Sequence, residues 1–374
     1  MKLKDEFFQK KQTQIQEFLH EEKLDAVLLF DPANIAYCTG FFYLQTERPL
    51  AAVIPHEGNP LLLIPLLEID HVPDNVEVES YFDYPGRINR IEWIKSHLNR
   101  RSFTTIGIEE GIPLSFYKIL SELHATGTSI VSEMRQIKDA EEIELIEKAA
   151  EYADYAVERA MHHTREGVTE FEINERTRID ISERMLEELE EIVPVQGGLS
   201  GGLVCSGENG ALPHGMPSSK KVKKGESIIL SFGATVGGYH AESERTAFLG
   251  TLSEQQKDAF DAMAEAQKTG GDAVKEGAKC CDVNDVCLDV IRKKGYEQYL
   301  RHRMGHGIGL QGHEPPWVEE GDETVLKSGM TISNEPGIYI PGFGGFRHSD
   351  TMLVTKAGGT SLTKYPKDLD SMII

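Results

Sequence analysis

Four short stretches in the second half of the chain gather the residues best suited to chemistry. "ALPHGMPS" (211–218) holds His214 between turn-forming residues. "YHAESERT" (239–246) holds His240, Glu242 and Glu244. "GHGIGLQGHE" (305–314) holds His306 and His313. "NEPGIYIPGFGGFRHSD" (334–350) holds Glu335, Arg347, His348 and Asp350. Histidine moves protons near neutral pH. Glutamates hold cations, whether a planar guanidinium through charge-assisted hydrogen bonds or a metal ion. Glu242 and Glu244 are two residues apart, so on a strand they share one face. Two such carboxylates raise one another's pKa unless a cation lies near them. Alone, each stretch has a plainer reading: a solvated turn histidine, a flexible Gly-x-Gly turn at His306, a strand end at Glu335-Pro336, or a solvated edge-strand face at 242 and 244. Together they recur on strands of one apparent sheet, with loops held by a rigid scaffold.

The elements that must position them follow from pattern. "GLVCSG", "ESIILSFGA", "ERTAFLG", "GMTISNEPG" and "DTMLVT" read as short strands between glycine-rich turns. Two helices, near 253–274 and 282–294, interrupt them. Ahead of the strands, Ile143, Ile146, Ala150, Ala153 and Val157 recur at steps of three and four, which predicts a long amphipathic helix. Asp139 followed by Glu142 gives it a capping-box start, and a second helix spans about 169–190. Helices and antiparallel strands in blocks indicate an α+β domain over 133–374. No strong internal repeat is evident.

Residues 1–132 alternate instead. Phe7, Phe8, Ile15, Phe18 and Leu19 make an amphipathic opening helix, and "DAVLLFD" (25–31) reads as a buried strand. "PLAAVIP" and "NPLLLIP" are strands joined by a Gly-Asn turn, "TTIGIEE" is another strand, and "PLSFYKILSELHAT" (113–126) is a helix. This is a smaller α/β domain.

The 374 residues suffice for two domains with ample cores. With 39 Lys plus Arg against 61 Asp plus Glu, the net charge is −22. That disfavours nucleic acid and anionic membrane as partners and suits a small-molecule substrate in the cytoplasm. The N-terminus is charged throughout, unlike a signal peptide, and no apolar run reaches membrane-spanning length. The five cysteines, 38, 205, 280, 281 and 287, read as reduced thiols, with the 280–281 pair packed rather than ligating.

In order and spacing, the four stretches and "LPHGMPSSKKVKKGESIILSFGA" resemble the successive motifs of the creatinase/aminopeptidase ("pita-bread") superfamily, in its Xaa-Pro dipeptidase and creatinase branch, over roughly 135–374. The resemblance implies a C-terminal pita-bread catalytic domain preceded by a creatinase/prolidase-like α/β domain, and a homodimer. Peptidases of that family bind two metal ions through Asp, Asp, His, Glu and Glu. Those positions fall here on Ser231, Glu242, His306, Glu335 and Ser349, so two carboxylates are replaced by hydroxyls, which are poor ligands for divalent ions.

Creatinase, by contrast, works without metal through a His and two Glu, whose positions fall on His214, Glu244 and Glu335. The leading expectation is therefore a metal-independent creatinase-like hydrolase. It would cleave a C–N bond of a small guanidino, amidino or related compound, with His214, Glu244 and Glu335 catalytic. Glu242, His306, His313 and Arg347 would contact substrate, as would Arg48, which stands where creatinase has a substrate-binding arginine. No cofactor is expected; were an ion held, Glu242, His306 and Glu335 would hold it. Two alternatives stand. One is a metal-dependent Xaa-Pro dipeptidase using Mn, Co, Fe or Zn, with His348, Asp350 or Glu244 as replacement ligands. The other is a non-catalytic pseudo-peptidase.

Overall fold

The structure is a computed structural model that describes residues 1–83, 87, 89–195 and 198–374. It divides into two compact units. One runs over Leu3–Arg135; the other contains Gln136–Ile192 and the C-terminal remainder. The division falls at the end of a helix, Ile130–Gln136, inside which the expected boundary at 132/133 lies.

The first unit carries helices α1 (Asp5–Glu22), α2 (Pro32–Thr39), α3 (Arg90–Arg100), α4 (Leu114–Leu120) and α5 (Ile130–Gln136). Its strands are β1 (Ala26–Leu29), β2 (Ala51–Pro55), β3 (Leu61–Pro65), β4 (Glu77–Tyr81), β5 (Ile106–Glu109) and β6 (Ala125–Thr128). They form one mixed sheet in the order β4-β3-β2-β1-β5-β6. The apolar runs "AVLL", "AAVIP" and "LLLIP" are buried on both faces, as a covered sheet requires. The helix expected over 113–126 is shorter than that. His124 adopts a left-handed conformation (φ 44°), which ends the helical segment, and the next residues pair in parallel with β5 as strand β6.

The second unit opens with α6 (Ala140–His163) and α7 (Glu170–Glu188). Strands β7 (Ser200–Ser206), β8 (Ser227–Val236) and β9 (Tyr239–Phe248) follow, then α8 (Glu254–Ala273) and α9 (Cys280–Lys293). Strands β10 (Gly305–Gly307), β11 (Glu314–Val318), β12 (Thr331–Asn334), β13 (Gly337–Ile340), β14 (Gly344–Arg347), β15 (Ser349–Thr355) and β16 (Gly358–Ser361) complete it. The main sheet runs β11-β10-β12-β15-β9-β8-β7, with β16 on β15 and the hairpin β13-β14 apart. Helix α6 starts on the expected capping box, with the Asp139 N–H donating to Glu142 at 2.8 Å. It lays Ile146, Ala149, Ala153 and Val157, all fully buried, against β8 and β9. The small alanines let helix and sheet approach closely.

A repeat is present that the residues conceal. Thr164–Thr169 ("TREGVT") and Val274–Lys279 ("VKEGAK") link α6 to α7 and α8 to α9 by the same turn. Gly167 and Gly277 sit at φ +86° and +89°, where only glycine is unstrained. Each link ends in an isolated bridge, Thr169 to Lys221 and Lys279 to Val325.

All five cysteines are free, and Cys280 and Cys287 are packed in the core around α8 and α9. No helix among the described residues is long and apolar enough to cross a membrane.

Candidate active site

Register on the main sheet brings the site together. Ser231 on β8 and Ser349 on β15 are both cross-strand neighbours of Glu244 on β9. The three therefore stand in one row across adjacent strands, with Glu244 in the middle. Glu242 is one step along the same face of β9, opposite Gly233. Strand alternation sends the intervening residues to the other side: Ser243 donates to Asp154 at 2.8 Å, and Arg245 and Asp350 form a fully buried ion pair at 2.9 Å. From there Arg245 donates to the carbonyls of Glu244 (2.7 Å) and Ser349 (2.9 Å), clamping the backbone of the row from behind.

The short strand β10 delivers His306. Its glycines are needed for close approach rather than for a flexible turn. A Cβ on Gly305 would meet the Ser333 carbonyl at 2.1 Å, and one on Gly307 the Pro315 carbonyl at 2.4 Å. The His306 N–H donates to Ser333 Oγ (3.0 Å), and its Nδ1 lies 3.0 Å from the Gly307 carbonyl. With the Nδ1 proton on that carbonyl, Nε2 is free to face Glu335 Oε1 at 3.1 Å and Glu242 Oε1 at 4.0 Å. His313 stacks on His306 with ring centroids 3.8 Å apart. Its loop is pinned by the buried Lys138–Glu314 pair at 2.9 Å.

Two neighbourhoods result. In the first, Glu242 is pushed up to about 7 by burial and by the charge of Glu335. Burial works against ionisation of Glu335 too, yet close contact with His306 and the charge of Arg347 hold it down to about 2. His306 rises to about 9 against its own burial, through Glu335 and Glu242. His313 falls to about 4 through burial and the charge of His306. In the second, Glu244 accepts hydrogen bonds from Ser231 Oγ and from Arg347, whose Nη2 lies at 2.9 Å and whose Nε also meets it. Arg347 extends the chain: Nη1 donates to Tyr339 Oη (3.1 Å) and to the Pro213 carbonyl (3.3 Å), and Tyr339 Oη meets His302 Nε2 at 2.8 Å. Tyr339 and His302 were not singled out from sequence. The available signal was a second histidine four residues before His306.

The other expected residues lie as follows. His214 is exposed, on a segment strapped down by Glu170, which accepts from Ser206 N (2.7 Å), Asn209 (3.0 Å) and Ser218 Oγ (2.7 Å). His240 is engaged by Thr235 at 2.9 Å. Arg48, in the first unit, is paired with Asp83 at 2.8 Å and with Glu47 at 2.7 Å. Three expectations fail on geometry. Arg347, expected to contact substrate, is bonded instead to Glu244. Glu244 is thus already matched to an internal guanidinium and offers no vacant partner for a cationic substrate head. His348 and Asp350 are not replacement ligands. His348 accepts from Thr246 N (3.1 Å) and packs on Phe260, while Asp350 is taken by Arg245, Lys367 and Gln267 behind the sheet.

Comparison with known proteins agrees in fold and redirects the function. Residues 144–356 match Metallopeptidase family M24, and residues 11–137 match the Creatinase/Prolidase N-terminal domain. An Xaa-Pro dipeptidase of Pyrococcus horikoshii is 33% identical over 362 residues, 94% of this chain and 96% of that protein. One of Pyrococcus furiosus is 31% identical over 359 residues, 94% and 97% of the two chains. The crystal structure of the prolidase from Pyrococcus horikoshii superposes with a TM-score of 0.84 at 31% identity, covering 96% of this chain and 99% of that one. An Xaa-Pro dipeptidase from Bacillus anthracis gives 0.83 at 27%, covering 98% and 100%.

These relatives overturn the expectation of a metal-independent creatinase-like hydrolase and, with it, the expectation of no cofactor, since the matched family is one of metallopeptidases. The donors present can meet that requirement. Ligand atoms of Glu242, His306 and His313 all lie within 4.8 Å of one another, and Glu335 adjoins His306. Nε2 of His306 is buried with no well-aligned hydrogen bond, as an atom meant for an ion would be. Mixed imidazole and carboxylate donors suit Zn or Mn.

Proposed function

We propose that this chain, which belongs to metallopeptidase family M24, hydrolyses Xaa-Pro dipeptides with a divalent ion held by Glu242, His306 and Glu335, with His313 beside them. The observation that carries this reading is the convergence of Glu242, His306 and His313 ligand atoms within 4.8 Å on strands that also bring Glu335 onto His306. The likeness to Xaa-Pro dipeptidases over the full length of both chains supports the substrate class. When bound, the ion supplies Lewis acidity and activated water at neutral pH.

The protein's own groups supply the rest. Glu335, kept ionised, would help hold the ion and orient the attacking water by accepting its hydrogen bond at a carboxylate oxygen. His313, kept neutral, donates or accepts a hydrogen bond at the substrate without adding charge. His214 stands exposed at the margin, where it hydrogen-bonds the dipeptide carboxylate. Arg347 does not bind that carboxylate, because Glu244 holds it. The enzyme is read as a homodimer, as the family resemblance implies, and as cytoplasmic, which its net charge of −22 suits.

The test is release of free proline from a panel of Xaa-Pro dipeptides. Chelator-stripped protein is assayed before and after addition of Mn²⁺, Co²⁺ or Zn²⁺. Activity restored by an ion supports the reading. Absence of cleavage with every ion and every dipeptide removes it.

A further inference from the structure

We infer that this site takes a single divalent ion, and that the guanidinium of Arg347 supplies the positive charge that a second ion would bring. The inference rests on the metal-dependent reading above but concerns stoichiometry, which that reading leaves open. The row Ser231–Glu244–Ser349 carries it. Three neighbouring strands present two hydroxyls and one carboxylate there, and the hydroxyls act as donors rather than as ligands. Ser231 Oγ gives its hydrogen to Glu244, and Ser349 Oγ gives its hydrogen to Glu242 Oε1 at 2.9 Å.

The carboxylate between the serines is ion-paired with the guanidinium. Arg347 Nη2 donates to Oε1 at 2.9 Å, and Nε stands against Oε2 as a charge contact without an aligned hydrogen bond. Both partners are nearly excluded from solvent, at 4% exposure each. The far side of the guanidinium is fixed by Tyr339 and the Pro213 carbonyl, so it cannot swing aside without breaking several buried bonds at once.

Charge matching points the same way. One carboxylate faces one guanidinium in this row, which leaves it neutral. Glu242 and Glu335 remain, and a single divalent ion neutralises them. Two divalent ions a few ångströms apart need several anionic oxygens to offset their repulsion. Here the oxygens for a second ion are hydroxyls, and a fixed cation stands beside them.

The experiment uses the full chain, stripped by chelator and titrated with Mn²⁺ alone. Bound ion is counted calorimetrically, and its electron paramagnetic resonance spectrum is recorded. One equivalent with the spectrum of an isolated ion is expected. Two equivalents with an exchange-coupled spectrum overturn the inference, and so does no binding at all. A Ser231→Asp/Glu244→Thr/Ser349→Glu variant restores carboxylates and removes the guanidinium's partner. If folded by circular dichroism, it is expected to take a second equivalent; a single equivalent in the folded variant overturns the role given to these positions. Proline release is scored separately. Two ions with dipeptide cleavage defeat this inference and leave the peptidase reading standing. One ion without cleavage does the opposite.

Discussion

At one end of the site cluster, Glu244 is buried against Arg347 and Ser231 and its charge is met from within the chain. At the other, Glu242 and Glu335 are half-buried, and His306 Nε2 lies 4.0 Å from one and 3.1 Å from the other. Both ends use carboxylates held by the main sheet, yet one is paired as folded and the other is more open and has less positive charge at hand. The raised pKa of Glu242 and the raised pKa of His306 are two signs of the same shortage. A buried charge is tolerable only when matched. The contrast therefore separates a part of the site built for stability from a part built to receive something.

The largest effect should come from the unfinished end. Glu242→Gln removes a donor oxygen's charge, so bound Mn²⁺ is lost and kcat/KM for an Xaa-Pro dipeptide falls by about a thousandfold or more. Metal content and turnover, measured on the same preparation, check this; unchanged turnover would break the comparison. The metal-free variant should be no less stable than the parent, because crowding between carboxylates is relieved.

The finished end should behave in reverse. Arg347→Met leaves Glu244 buried and unmatched, and urea denaturation should show a loss of about 3–5 kcal/mol. Adding Glu244→Gln to that variant should recover most of the loss, a coupling that a double-mutant cycle measures. Independent effects at the two positions would show that the pair does not act as a unit.

Metal removal sharpens the contrast at an intermediate scale. Mn²⁺ at about a hundred times its dissociation constant stabilises a protein that binds it only when folded by about 2.7 kcal/mol. Thermal denaturation should show that gain in the parent and not in Glu242→Gln.

The smallest effect lies in the other unit, where Glu109 is buried and accepts hydrogen bonds from backbone and amide donors. Its oxygens accept from Phe30 N (2.6 Å), Asp31 N (2.9 Å) and Asn34 Nδ2 (2.6 Å). Burial nevertheless raises its pKa to about 7 from 4.5. With the folded value above the unfolded one, its contribution is fully present below pH 4.5 and is lost as pH rises through about 7. Glu109→Gln should flatten that slope between pH 4.5 and about 7. Trp93 fluorescence during urea unfolding at several pH values reads this unit.

Much of this was legible in the chain. The capping box at Asp139, the buried runs of β1 to β3 and the strand carrying Glu242 and Glu244 all follow from local pattern, and the motif order pointed to the family and the fold. The pairing of Arg347 with Glu244 was not legible. It depends on the register between β9 and β15, set by residues about a hundred positions apart, and on the β13–β14 hairpin that brings Tyr339 back to Arg347. Too much weight was placed on the serine pair at 231 and 349. It was taken to remove metal chemistry, although Glu242, His306 and Glu335 remained. The repeat escaped because its copies share a backbone turn more than a sequence.

That repeat has a consequence for how activity arises. The first copy, α6 to β9, contributes Ser231, Glu242 and Glu244; the second, α8 to β15, contributes His306, Glu335, Arg347 and Ser349. The groups proposed to hold the ion come from both copies, Glu242 from the first and His306 and Glu335 from the second. On that reading neither half carries a working centre, and cleavage waits until both have joined the common sheet.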